Sequence, residues 1–121
     1  MARCEQGYLC EVCNDEVHDL TDSDLYLNYV LGLVDIRALP SKPERHIRCN
    51  PVQAQFIVDD RFEPVHVDGP FGKSQMDAAY VTQQEQFVTR GWQRLQEIPS
   101  LQLPISEYPL PEVRRPSTSS S

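Results

Sequence analysis

No run in this chain of 121 residues comes near the roughly 20 consecutive apolar residues of a membrane-spanning helix. The opening stretch, MARCEQGYLC, has no apolar core of the kind an export signal carries. The expected compartment is therefore the cytoplasm, where thiols stay reduced. Basic clusters are equally scarce, the longest being the pair Arg114-Arg115. Nucleic-acid surfaces ordinarily need a lysine- and arginine-rich patch, and anionic membranes attract the same charge, so neither partner is expected. Signatures of catalysis are missing too. There is no Gly-rich phosphate loop, no G-x-S-x-G, no H-E-x-x-H and no H-x-E paired with P-C-x-x-C. Glycine is sparse, five residues against ten prolines, which favours extended connections over many long helices.

What is present suits one folded unit. Apolar residues make up 40 % of the chain, enough for a core of ordinary size. The net charge of −7 is carried mostly by the first half: residues 1–60 hold 11 acidic and 5 basic side chains, residues 61–121 hold 7 and 6. Five carboxylates fall between Asp15 and Asp24 with no basic residue among them. They read as a solvated face plus helix N-terminal charge, or else as a contact for a basic partner.

Three helices are expected. TDSDLYLNYVLGLV, residues 21–34, places Thr21 as N-cap, Asp24 three residues on, and Leu20 with Leu25 as a hydrophobic staple. Leu27, Val30, Leu31 and Val34 recur at helical spacing on the core side. A second helix starts at CNPVQAQFI, with Asn50 as N-cap and Pro51 at the first helical position. A third covers about 75–98, where Val81, Val88, Trp92 and Leu95 form a stripe that reads as core or as the face of a homodimer. Gly91 weakens that helix by about 1 kcal/mol of propensity but lets another element come close. RFEPVHV alternates like a short strand, and Pro64 confines it to an edge. Residues 107–121 are rich in proline and serine and read as a flexible tail.

The chemistry sits in the cysteines. Cys10-x-x-Cys13 has the spacing of a metal knuckle, in which two thiolates grip one ion across a tight turn. A redox pair would open a helix after a strand, whereas Asn14-Asp15 here continue a turn. A second pair, His46-x-x-Cys49, stands just before the helix expected at Pro51, across a 32-residue insert. Cys10, Cys13, His46 and Cys49 together make a tetrahedral Cys3His set for Zn2+. Cys4 competes with His46 for the fourth position. His18 and His66 stand alone and read as surface or structural residues.

On these two ligand pairs the chain resembles a treble-clef or zinc-ribbon type finger over residues 4–58. In the treble clef, a knuckle on a hairpin supplies two ligands and the first turn of a helix supplies the others. Here a whole helix, 21–34, occupies the interval where such fingers carry a hairpin or loop, and Asn14 stands where a glycine is common after the knuckle. The resulting expectation is a small α+β domain over 1–106 held by a structural zinc, followed by the tail. Its expected role is protein–protein interaction, as an adaptor or accessory module. A nucleic-acid-associated zinc module is the first alternative. A zinc enzyme is the second, with three cysteine ligands and His46 or His18 as general base.

Overall fold

Ser23, not Thr21, caps the first α-helix. In the computed structural model of the chain, which describes residues 8–17 and 19–113, Leu20–Asp22 form a 3-10 turn and helix α1 spans Asp24–Val30. Ser23 is extended (φ −90°, ψ 118°) and its Oγ accepts the Tyr26 N–H at 3.1 Å, satisfying one of the donors a helix start leaves open. The far end comes at Gly32, where φ is +80°. The Gly32 N–H bonds the Tyr29 carbonyl and the Leu33 N–H bonds the Asn28 carbonyl, the paired bonds of a Schellman stop. The helix expected over 21–34 is thus trimmed at both ends by local hydrogen-bonding chemistry.

Two further α-helices follow: α2 at Pro51–Ala54 and α3 at Ala78–Leu101. Helix α2 is a single turn. Pro51 stands at its start as expected, but the Asn50 side chain makes no cap bond. Helix α3 begins where Asp77 accepts the Tyr80 N–H and ends at Gln102 in the left-handed conformation (φ 52°). Strand content is slight. The antiparallel strands β1 (Tyr8–Leu9) and β2 (Glu16–Val17) pair Tyr8 with Val17 and Leu9 with Glu16. The strand expected in RFEPVHV is absent. That segment has no neighbouring strand, and only an isolated bridge joins Asp59 and Phe62. It is instead an extended strap. The Phe62 ring meets Trp92 edge-on with centroids 5.5 Å apart, the Arg48 guanidinium lies 4.2 Å over Phe62, and Arg48 donates to the Glu63 carbonyl. The α+β expectation therefore holds only loosely: helices and 3-10 turns dominate around one small hairpin. No helix among the described residues is long and apolar enough to cross a membrane.

The core lies between α1 and α3. Leu27 and Val30 of the first, with Leu31 capping its end, face Val88, Trp92, Leu95 and Ile98 of the second, with Ile47, Ala54 and Phe56 closing one end. Of the stripe expected on this helix, Val88, Trp92 and Leu95 are buried, and Val81 is partly buried against the core. At Gly91 the Leu31 side chain comes close to the backbone of α3. A Cβ there would collide with Leu31 Cδ2 and lie 2.9 Å from its Cγ. Gly91→Ala therefore sets a gain of about 1 kcal/mol in helix propensity against about 1–3 kcal/mol of overpacking. We expect overpacking to win, and a urea midpoint below that of the wild type checks it.

The body extends past the boundary expected at residue 106. Tyr26 meets Tyr108 edge-on and Tyr29 meets it at a tilt, Leu110 is buried, and the Leu110 N–H bonds the Val30 carbonyl at 3.0 Å. Arg94 donates to the carbonyls of Glu107 and Tyr108. Apolar residues between the prolines anchor this stretch as far as Val113, which packs on the core. The rest of the expected tail, 114–121, lies outside the described residues.

Candidate metal site

The knuckle is built by a hairpin that turns on Asn14. Cys10 N–H bonds the Asp15 carbonyl (2.8 Å), and Asn14 N–H bonds the Cys10 carbonyl (2.9 Å). Asn14 holds φ at 67°, the left-handed region that asparagine tolerates better than most residues. This folds Cys10 and Cys13 back toward one another. Cys10 is buried and Cys13 is exposed.

The other pair is delivered by the segment Glu44–His46, which runs between the knuckle and α1. On one side the Glu11 N–H bonds the Glu44 carbonyl (2.9 Å); on the other the Asp24 N–H bonds the Arg45 carbonyl (2.8 Å). Ser23 and His46 form a bridge across the same seam. A 3-10 turn, Ile47–Cys49, then carries Cys49 round to the hairpin immediately before α2.

The four side chains converge. One ligand atom each from Cys10, Cys13, His46 and Cys49 lie within 4.8 Å of one another. His46 Nδ1 stands 3.3 Å from Cys13 Sγ and 3.8 Å from Cys49 Sγ. Metal–sulfur bonds of about 2.3 Å and metal–nitrogen bonds of about 2.0 Å in a tetrahedron place sulfurs about 3.8 Å apart and a nitrogen about 3.5 Å from each sulfur. The group is close enough to hold a metal ion with small adjustments. Cys10, Cys13 and Cys49 are free thiols, not disulfide-bonded.

The surroundings suit a cation. His46 Nε2 lies 3.0 Å from the Glu16 carbonyl oxygen, which can only accept, so Nε2 carries the proton and Nδ1 presents its lone pair to the thiols. Backbone N–H groups of Val12 and His46 approach Cys10 Sγ at 3.4 and 3.5 Å. Burial alone would raise the Cys10 thiol, but backbone donors from Cys13, His46 and Val12 outweigh it and lower its pKa to about 6. Cys49 moves the other way, pushed up to about 12 by burial and by sharing hydrogen bonds and charge with Cys10 and Cys13. Burial pulls His46 down, yet the Glu16 carbonyl and Cys10 raise it overall.

A metal ion entering this group must displace the Cys49 proton and, below the raised His46 pKa, the imidazolium proton. Loading near neutral pH should therefore release at least one proton per ion, and one more for each further ligand still protonated there. Acidification strengthens the proton as competitor, so metal retention falls as pH falls, more steeply below about pH 6 where Cys10 also protonates. Titrating metal into weakly buffered apo-protein with a pH indicator checks both the sign and the count.

Other residues singled out from the sequence fall elsewhere. His66 is exposed and, among the described residues, bonds only Asp68, two residues away, at 2.8 Å. Cys4 and His18 lie outside the described residues. The sequence reading missed the polar network behind the site. Asp24, 2 % exposed, accepts from Arg45 (3.0 and 3.2 Å), Asn50 (3.1 Å) and Asn28 (3.2 Å). Asn28 in turn accepts from Gln53 at 2.8 Å. The available signal was the i,i+4 pair Asp24 and Asn28, on the same helical stripe as Leu27 and Leu31; a polar pair within an apolar stripe implies buried partners. No family model, no curated protein and no solved structure matches the chain.

Proposed function

We propose that this chain is a small zinc-binding module in which zinc is structural and organises a protein–protein interaction or accessory unit. The convergence of Cys10, Cys13, His46 and Cys49 carries the reading. Three thiolates and one imidazole in a tetrahedral spacing are a soft donor set typical of structural zinc. With all four positions filled by the protein, no position is left for the water that a catalytic zinc activates. The ligands come from a knuckle and from the approach to a helix, which supports a treble-clef-like finger carrying α1 as an insert between its ligand pairs. The acidic balance of the chain, −7 overall, supports a protein partner over a nucleic acid.

Metal analysis of the protein purified under reducing conditions tests this. One zinc per chain is expected in the wild type and in Cys4→Ser, with zinc lost from Cys49→Ser and strongly weakened in His46→Ala. Zinc lost from Cys4→Ser but kept by His46→Ala would hand the fourth position to Cys4. A metal-free wild type would remove the reading altogether.

A further inference from the structure

On the side of α1 away from α3, a cavity of about 130 Å³ opens to the surface. Leu25, Leu39 and Pro40 form its walls, while Ile36 and Ile105 at the rim remain 39 % and 41 % exposed. Sites for whole metabolites run to roughly 300–1,000 Å³, and a dry cavity of about 150 Å³ takes one benzene. This one therefore fits a single side chain, the form in which a protein partner anchors itself.

One end of the cavity is polar. Glu44 lines it and is only 7 % exposed. Its Oε1 accepts the Ser23 hydroxyl at 2.8 Å, the Arg45 backbone also favours the charged form, and no lysine or arginine among the described residues forms an ion pair with it. Lys42 lines the same cavity and is exposed, and no ion pair joins it to Glu44. A carboxylate buried beside apolar walls gains most from a positively charged donor brought in from outside.

We propose that this cavity is a docking pocket for a partner polypeptide that inserts one leucine-sized side chain and sets an adjacent lysine or arginine against Glu44. The assignment rests on the interaction reading above and gives its partner a chemistry. The excess of acid in residues 1–60, 11 acidic against 5 basic side chains, suits the same basic partner.

The test is an amide NMR titration of the metal-loaded full chain with capped tetrapeptides. Gly-Leu-Lys-Gly should give saturable shifts at Leu25, Leu39 and Glu44. Gly-Ala-Lys-Gly should bind about tenfold more weakly, as expected for three fewer buried carbons at a partly open site, and Gly-Leu-Gln-Gly should also bind more weakly. Glu44→Gln should erase the preference for lysine while keeping leucine over alanine. Ile105→Lys, placed on the exposed rim, should weaken every peptide without touching the Ser23 contact. Absence of saturation, or indifference to the leucine, would overturn the pocket. Equal binding of isopentylamine would reassign it to small amines, and the same shifts appearing on self-association would reassign it to a second copy of the chain. None of these outcomes alters the zinc content, so the pocket and the metal reading fail separately.

Discussion

Stripping the metal with a strong chelator should lower the thermal midpoint by at least about 15 °C or abolish the cooperative transition. The candidate ligands come from residues 10–13 and 46–49, so a bound ion would close a loop spanning the 32 residues between Cys13 and His46. By the chain-entropy relation for a cross-link, a loop of that size accounts for about 4 kcal/mol. Small structural zinc sites draw on a binding free energy of about 10–16 kcal/mol, while whole domains are stable by only about 5–15 kcal/mol. A loss of even about 4 kcal/mol shifts the midpoint of a domain this size by the amount stated. Scanning calorimetry with and without chelator, followed by re-addition of zinc, measures it. An unchanged transition would mean that the core between α1 and α3 holds the fold without help.

Asp24→Ala should cost about 3 kcal/mol and weaken metal retention about tenfold, although Asp24 touches none of the four ligands. Its carboxylate gathers Arg45, Asn50 and Asn28, and the first two flank the stretch that presents His46 and Cys49. Burial raises the Asp24 pKa in spite of Asn50 and Arg45, so lost charge is not the main expense. The loss arises from stranded donors in a half-buried network. Asp24→Asn keeps an acceptor for Asn50 and should lose less than half as much stability. Urea denaturation paired with zinc competition against a colorimetric chelator separates the two effects. Equal stability of Asp24→Ala and wild type would show the network to be dispensable.

The four converging residues were legible because spacing alone carries them: two positions between Cys10 and Cys13, two between His46 and Cys49, and a proline marking the helix beyond. The stripe of Val88, Trp92 and Leu95 was legible for the same reason, since its period survives whatever packs against it. Local competition was harder to read. Thr21 and Ser23 both offer a capping hydroxyl, and the choice fell to Ser23, whose Oγ also donates to the buried Glu44 more than twenty residues away. Asn50 looked like a cap but its amide is taken by Asp24. RFEPVHV alternates like a strand, yet alternation does not supply a neighbour to pair with, and Phe62 found Trp92 instead. Leu110 sits among prolines, where composition argues for disorder and a single apolar anchor outweighs it.

The close passage of Leu31 over Gly91 has a consequence for anyone wishing to transplant the metal-binding half. Every candidate ligand lies between residues 10 and 49, but Leu27, Val30, Leu31 and Ile47 find their cover on a helix that begins only at Ala78. A fragment ending near residue 58 would still chelate, but it would present a greasy flank and precipitate. The full chain should stay monodisperse in the same light-scattering measurement. The candidate metal site is not a portable cassette: its lid is encoded some thirty residues downstream of Cys49, and the two must travel together.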